Sequence, residues 1–348
     1  MRYLIFGGTG SLGKKLIERL LPKNSVAVYS RDEAKHWTIR NELEGSILST
    51  RSKEALKFFV GDIRDISRVK DAIRQYNPST IIVAAALKQV DTCELSPSES
   101  VATNLIGTQN VVTAVNELAG RELSTGVKVL FVSTDKACSP VNVYGMCKAI
   151  SERLVTSQQS THAKFLAVRY GNVLESRGSI IPLFRYQAEN NSHLTVTDPE
   201  MTRFVMTLDD SVTLIQEALI SGQNGETWIP RLPAMKIGDL ASIFSEMFKK
   251  PIKIIGLRPG EKQHEDLLNE SESVRTTTRF RHDNQPAHYV IGSAAYAQNL
   301  GKRFTYSSSQ TVMDKRQLKE HLTKLKILER SSSEFVGTKI EDIVTNKK

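Results

Sequence analysis

The chain opens on a short apolar run, Arg2-Tyr3-Leu4-Ile5-Phe6, which breaks into Gly7-Gly8-Thr9-Gly10-Ser11-Leu12-Gly13 and then into a helical pattern of Leu12, Leu16, Ile17 and Leu20. Strand, glycine turn and helix in that order leave few folds open. The spacing fits both G-x-G-x-x-G (Gly8, Gly10, Gly13) and G-x-x-G-x-x-G (Gly7, Gly10, Gly13). Glycines at these places allow the tight turn, let backbone approach a pyrophosphate and bring helix against strand, and the helix N-terminus favours negative charge. A glycine-rich surface turn would need neither the strand before nor the helix after. The expectation is a dinucleotide site held by Gly7, Thr9, Gly10, Ser11, Leu12 and Gly13.

Apolar strand-like runs then alternate with helical patterns up to residue 170: Val26 to Tyr29, Lys57 to Val60, Thr80 to Ala84, Val127 to Ser133 and Phe165 to Arg169. Such alternation predicts an α/β fold, a Rossmann-type doubly wound parallel sheet with right-handed crossovers. After Gly171 the elements shorten, with Pro, Gly and Asn punctuation at Gly178 to Pro182 and Gly256 to Gly260. Residues 1–170 are therefore read as the dinucleotide-binding domain and 171–330 mainly as a smaller mixed α/β substrate-binding lobe. Leu194 to Val196 and Trp228-Ile229, within about 194–230, look like strands that rejoin the main sheet. Residues 331–348 form a polar C-terminal tail.

The second strand ends in Ser30-Arg31. An acid at this position usually holds a cofactor that lacks a 2′-phosphate, whereas a guanidinium and a hydroxyl suit that phosphate, so NADP is favoured over NAD. Alternatively Arg31 is a solvated helix-start residue and Asp32 the helix cap. Asp62, in Gly61-Asp62-Ile63, stands where an acid meets the adenine amine; it could equally cap the helix Ile66 to Ile73.

A chain of 348 residues with a net charge of +9 invites a nucleic-acid reading, but Lys and Arg are interleaved with acids and form no patch. The densest basic stretch, Asp314 to Arg330, places Leu318, Leu322, Leu325 and Leu328 on one helical face, the mark of a packed amphipathic helix. No apolar run approaches the ~20 residues needed to span a bilayer. The first strand starts at the N-terminus and leaves no room for a signal peptide, so neither nucleic acid nor membrane is expected as a partner and the cytoplasm is the expected location. Cys93, Cys138 and Cys147 lack metal-type spacing and read as reduced thiols. His264, beside Glu265 and Asp266, reads as solvated on a surface helix, and no metal is expected.

Chemistry concentrates in Ser133-Thr134-Asp135-Lys136 and Tyr144-Gly145-Met146-Cys147-Lys148. A Tyr with a Lys four residues later lies on one helix face, so the ammonium of Lys148 can favour the phenolate of Tyr144, which otherwise titrates near ~10. Asp135 and Lys136 add an acid and an amine at the carboxyl end of a strand, where α/β folds bind ligands. Taken alone, Asp135 could be a turn residue and Lys136 its ion-pair partner or a cofactor-phosphate ligand.

These residues, together with Ala84-Ala85-Ala86-Leu87-Lys88-Gln89-Val90, Arg169-Tyr170-Gly171-Asn172-Val173, Arg177-Gly178-Ser179, Met201-Thr202-Arg203-Phe204 and Arg258-Pro259-Gly260-Glu261-Lys262, resemble an extended short-chain dehydrogenase/reductase. Within that superfamily the chain, over roughly residues 1 to 330, is similar to the inverting UDP-N-acetylglucosamine 4,6-dehydratases. Retaining relatives carry Thr-Asp-Glu where Thr134-Asp135-Lys136 stands here, and the lysine marks those that invert C5. Phe6 replaces a usual Thr, Asp91-Thr92-Cys93 replaces a smaller and more apolar sequence, and the membrane helices of longer relatives are missing.

The resemblance implies a redox-neutral elimination. Tyr144, supported by Lys148, takes the C4 hydroxyl proton as hydride leaves C4, with Thr134 on the developing ketone; a neutral Lys136 takes the C5 proton; a protonated Asp135 gives its proton to the departing C6 hydroxyl. Lys136 needs a depressed pKa for this role. The resemblance also implies cofactor contacts from Ser30, Arg31, Asp62, Ile63, Ala84, Ala85 and Ala86. It implies substrate contacts from Lys88, Asn172, Val173, Arg177, Thr202, Arg203, Arg258 and Glu261, with UDP-N-acetylglucosamine as the partner and a homo-oligomer as the assembly. An epimerase or ketoreductase of the same fold would need only Thr134, Tyr144 and Lys148. A cofactor-binding sensor would need none of them.

Overall fold

The computed structural model describes residues 1–44, 55–174, 176, 178–280, 284–293 and 303–330; Arg177 and the tail 331–348 lie outside them. The first six strands are β1 (Arg2–Phe6), β2 (Ser25–Ser30), β3 (Leu56–Val60), β4 (Thr80–Val83), β5 (Val127–Val132) and β6 (Ala163–Val168). Later come β7 (Asn172–Val173), β8 (Leu194–Val196), β9 (Thr202–Met206), β10 (Thr227–Pro230), β11 (Ala234–Lys236), β12 (Ile252–Ile254), β13 (Asp266–Leu268), β14 (Thr276–Phe280), β15 (Pro286–Ile291) and β16 (Tyr306–Ser307).

The main sheet runs β14-β15-β10-β6-β5-β4-β1-β2-β3, parallel from β10 to β3, with β15 and β14 antiparallel at one edge. Chain order reverses on either side of β1, which opens the crevice where such sheets take ligands. Period-two alternation makes the layers. Leu4 and Phe6 join Val129 and Phe131 on one face, while Tyr3, Ile5 and Leu130 face the other. The helix Ser11–Leu20 buries Gly13, Leu16, Ile17 and Leu20, positions that share one stripe at helical spacing, and packs on the second face beside Leu208–Ser221. Ile66–Tyr76 and Gly107–Leu118 cover the first face. Each fully buried Leu, Ile or Phe side chain contributes about 1.5–3 kcal/mol by leaving water.

Two glycines fix the entry to the crevice. Gly7 has φ +83°, and a Cβ there would fall 2.6 Å from the Ala85 backbone; a Cβ on Gly13 would fall 2.4 Å from the backbone of Gly8. The turn is thus closed to any side chain on the faces where strand, helix and β4 loop meet.

β10, which holds Trp228-Ile229, lies parallel beside β6. Leu194 to Val196 does not join this sheet. β8 pairs in parallel with β12, because Leu194 and Val196 are buried in a separate core with Ile181, Phe184, Leu240 and Phe244. Gln187 of the preceding helix also staples Thr195 through its backbone N–H and its hydroxyl. The basic helix forms at Lys315–Lys324 and buries Leu318 and Leu322 in that same core. Among the described residues no helix is long and apolar enough to cross a membrane, no cluster of His, Cys, Asp and Glu could hold a metal, and Cys93, Cys138 and Cys147 are free and buried.

Candidate active site

Because the central strands are parallel, the turns after β1, β2, β3, β4 and β5 share one rim. At the first turn Gly7 N–H donates to Tyr29 O and Gly10 N–H to Gly7 O. Ser30 bonds the buried His36 at 2.7 Å, burial holding that imidazole below its usual pKa. Asp32 accepts from Lys35 N–H and caps the helix Glu33–Glu44, which leaves Arg31 exposed with a 3.8 Å ion pair to Asp62. Asp62 is not the cap of the next helix. Asp65 fills that place, and Asp62 accepts from the backbone and guanidinium of Arg64. Ile63 is buried, its carbonyl accepting from Asn110, and Ala84 donates to Phe6 O ahead of half-buried Ala85 and Ala86.

After β5 the chain crosses the carboxyl edge as Ser133-Thr134 and turns once in a 3₁₀ helix, Asp135–Ala137, with Thr134 as its cap. Backbone bonds from Ser133 to Val168 O and from Asp135 to Tyr170 O hold this turn against the end of β6. Thr134 Oγ1 donates to Asp135 Oδ1 at 2.9 Å, and Lys136 Nζ donates to the same oxygen at 3.1 Å. A third group meets them: Glu265 Oε1 lies 3.1 Å from Lys136 Nζ. Burial disfavours the Lys136 charge, but the two carboxylates outweigh it and hold the ammonium well above the ordinary lysine range. The expected depressed pKa is therefore corrected. The sequence places one carboxylate beside this amine; the fold adds a second.

The helix Val143–Thr156 brings Tyr144 and Lys148 to this turn, both buried. Asn142 caps it, accepting from Gly145 N–H at 2.7 Å. Tyr144 faces Thr134; burial pushes its phenol up to about 12, opposed by the Lys136 ammonium and reinforced by Asp135. The cation facing the phenol is thus Lys136, where the spacing argument named Lys148. Lys148 Nζ instead donates to Val132 O at 2.6 Å and sits 3.9 Å from the centroid of the Phe131 ring, and burial lowers it to about 7. Gly145 makes the assembly possible: a Cβ there would fall 2.2 Å from the Lys136 carbonyl oxygen. Gly145→Ala must push the Tyr144 helix off the Asp135–Lys136 turn. Since a displacement of about 1 Å costs on the order of 100-fold in rate, kcat falls by that much, measured alongside circular dichroism to show the fold intact.

A family model described as "Polysaccharide biosynthesis protein" matches residues 3–284. The chain belongs to the polysaccharide biosynthesis protein family. It is 38% identical over 286 residues to a protein named UDP-glucose 4-epimerase from Rickettsia bellii (strain OSU 85-389), a match covering 78% of this chain and 79% of the relative. The X-ray structure of Pen from Bacillus thuringiensis is similar at 34% identity and a TM-score of 0.82, covering 94% of this chain and 98% of that one. The fold is shared with the UDP-glucose 4-epimerase of Thermus thermophilus in complex with NAD (TM-score 0.61, 22% identity, 76% and 89% covered). It is shared too with DesIV, the dTDP-glucose 4,6-dehydratase of Streptomyces venezuelae with NAD and TYD bound (TM-score 0.62, 21% identity, 76% and 87% covered). The Rossmann-like α/β sheet is thus one this chain shares with these epimerase and dehydratase structures.

The rest of this family member's site comes from segments after Gly171. Asn172 and Val173 form β7, and Asn172 Oδ1 is buried with no partner among the described residues. Arg258, more than half exposed, pairs with Glu261 at 2.8 Å, and Lys88 is exposed on the β4 loop. Asn142 Nδ2 donates to Gly260 O and Lys262 Nζ to Cys138 O, so the Arg258–Lys262 loop is fastened both to the cap of the Tyr144 helix and to the end of the 3₁₀ turn after β5. Thr202 and Arg203 are tied into the fold. The Thr202 hydroxyl bonds His264 and Ser308, and the Arg203 guanidinium donates to the carbonyls of Thr202, Lys262 and Gln263. His264 and Glu265, expected on a surface helix, instead lead into β13, which pairs with β16. No local pattern marks Glu265 as a site residue; an acid next to Lys262-Gln263-His264 reads as solvated until the sheet partner is known.

Proposed function

We propose that the protein is a UDP-N-acetylglucosamine 4,6-dehydratase that inverts C5, a hydro-lyase yielding a UDP-4-keto-6-deoxy-L-hexosamine. The observation that carries this reading is the Asp135–Lys136 pair, 3.1 Å apart, with Thr134 bonded to the same carboxylate oxygen and Tyr144 beside them. Moving the sugar's C4 hydrogen requires Thr134, Tyr144 and Lys148 only. Loss of water requires, in addition, one group to take a proton from C5 and another to give one to the C6 oxygen.

The turn after β1 fits a dinucleotide, since the helix Ser11–Leu20 starts at Gly10 without a side-chain cap and a Cβ on Gly10 would meet nothing nearer than Gly7 O at 3.5 Å, which leaves this N-terminus open to a pyrophosphate. Gly7 to Gly13 would hold the pyrophosphate, with Ala84 to Ala86, Asp62 and Ile63 beside the nucleotide. We favour NADP, because Asp32 is spent on capping and the exposed Arg31 guanidinium just after β2, whose pair with Asp62 is as long as 3.8 Å, can turn to a 2′-phosphate. When bound, the nicotinamide supplies the hydride acceptor for C4 and the donor for C6.

Tyr144, once its phenol has given a proton to solvent with the facing Lys136 ammonium and the positive charge an oxidised nicotinamide would bring favouring the phenolate, takes the C4 hydroxyl proton while Thr134 holds the forming ketone oxygen. The ammonium of Lys136 and the carboxylate of Asp135 contain one transferable proton between them, and shifting it across their hydrogen bond makes the amine and acid that elimination needs. Lys136 then takes the C5 proton and Asp135 protonates the leaving C6 hydroxyl: C5–H and C6–O break, C5=C6 forms, water departs. The pair is left as ammonium and carboxylate, its resting state. A proton from solvent, delivered to the opposite face of C5, sets the inverted centre, and Tyr144 returns the C4 hydroxyl proton to solvent. Lys88, Asn172, Val173, Arg177, Arg258 and Glu261 would meet the nucleotide and diphosphate, with Thr202 and Arg203 bracing them. A homo-oligomer fits the exposed apolar Val101, Ile106, Met146 and Ile150 on neighbouring helices.

The relatives named UDP-glucose 4-epimerase support a second reading, interconversion at C4 alone. Incubation with UDP-N-acetylglucosamine in D2O, followed by proton NMR, separates the two. The expected result is a new C6 methyl signal with deuterium at C5 and L-configured couplings, and extracted cofactor that carries a 2′-phosphate. A C4 epimer without a methyl signal would establish the epimerase, and a methyl signal with unchanged C5 a retaining dehydratase.

A further inference from the structure

The two buried glutamates of the β13 region are treated differently by the fold. Glu272 places both carboxylate oxygens on the Arg169 guanidinium, at 2.8 Å each, as an acid held for stability does. Glu265 is equally buried, yet only Oε1 has a partner, Lys136 Nζ, and Oε2 has none among the described residues. An isolated carboxylate half-satisfied in the interior is costly, so packing alone does not account for it.

Its backbone, by contrast, is fastened with care. Ser308 Oγ accepts from Glu265 N–H at 3.0 Å, and Ser308 N–H donates to Glu265 O at 2.8 Å. Two residues earlier Gln263 O accepts from Thr202 N–H and from Arg203, and His264 bonds the Thr202 hydroxyl. β9, β13 and the 3₁₀ turn at Ser308–Gln310 thus converge on one side chain that reaches out of the later segments to the turn after β5.

We propose that Glu265 is a positioning residue for Lys136. Its carboxylate holds Nζ against Asp135 and keeps it in place when the ammonium proton has moved to Asp135, the amine N–H then donating to Glu265 Oε1. One bond is kept throughout, so the amine stays aimed while its charge changes. This role rests on the dehydratase reading. The charged and titratable groups facing Lys136 are Asp135 on its own turn, Tyr144 on the following helix, Arg203 on β9 and Glu265 itself.

Glu265→Gln in the cofactor-loaded protein keeps the shape and removes the charge. Lysine labelled with carbon-13 at Cε, with the Lys136 signal assigned through Lys136→Gln, reads the coupling without substrate. The Lys136 titration should move to lower pH by about 1–3 units, the shift one nearby opposite charge produces. In turnover, the falling alkaline limb of kcat against pH, where the pair loses its transferable proton, should move the same way and its plateau fall about 10-fold or more, with Glu265→Asp recovering part of the loss. Unmoved titration and unmoved limb in a folded variant would overturn the proposal. If Lys136→Gln itself turns over like the parent enzyme, the dehydratase reading fails instead. If Lys136→Gln is dead and Glu265→Gln is normal, only the role of Glu265 fails.

Discussion

Lys136→Gln is expected to abolish dehydration while sparing the first chemical step. With the amine gone, nothing takes the C5 proton, and general acid–base contributions of this kind are worth about 10²- to 10⁴-fold. Thr134 and Tyr144 remain, so UDP-N-acetylglucosamine still exchanges its C4 hydrogen with the bound cofactor, more slowly because the phenol has lost the cation that faces it. Three measurements follow this together: methyl formation lost, C5 deuterium incorporation lost, and the near-ultraviolet absorbance of reduced nicotinamide still rising on mixing. Tyr144→Phe loses all three. Methyl formation at the parent's rate in Lys136→Gln would remove the lysine from C5 and overturn the inverting-dehydratase reading that rests on it.

Arg169→Met has the largest expected effect on stability. Arg169 is buried at the end of β6, and its guanidinium donates to Glu152 on the Tyr144 helix, to both oxygens of Glu272 and to Leu267 O in β13. Removing it strands two buried carboxylates, which costs about 3–5 kcal/mol. Urea unfolding at neutral pH measures this as a lower midpoint. The sign with pH is fixed by Glu272: burial pushes its carboxyl up, but Arg169 outweighs this and holds it below the ordinary carboxylate range. In the parent protein the ionised form therefore stabilises above the ordinary value near ~4.3, and that contribution is lost as pH falls through the lower native value. In the variant burial acts alone, so acid relieves the stranded charge. The gap between the two proteins is greatest at neutral pH and narrows toward acid.

The crevice is legible because its signals are local. Glycine spacing, the unbroken apolar run of Tyr3 to Phe6 and the four-residue spacing of Tyr144 and Lys148 each need only a few consecutive residues to be read. Long-range pairing is not legible in that way. Leu194 to Val196 is a strand by composition, but its partner, β12, lies beyond two helices, and nothing in the strand itself names which sheet it enters. The charge of Lys136 escapes the sequence for the same reason, since half of its counter-charge arrives from Glu265, distant in sequence. Helix geometry alone places Lys148 beneath Tyr144, and the helix cannot report the Phe131 ring and Val132 carbonyl that claim its ammonium. Asp62 and Asp65 show the smallest version of this problem: both could cap the helix from Ile66, and backbone geometry chooses Asp65.

Cys138 sits where the two halves of the site are joined. Its thiol donates toward Glu272 at 3.8 Å, its carbonyl accepts from Lys262, and burial pushes the thiol up to about 12. A maleimide reaches that sulfur only after the segment from Lys262 to Glu272 lifts away from the turn after β5. The labelling rate of Cys138 is therefore a clock for that opening, and saturating the protein with nucleotide sugar should slow it by the factor by which the ligand favours the closed form.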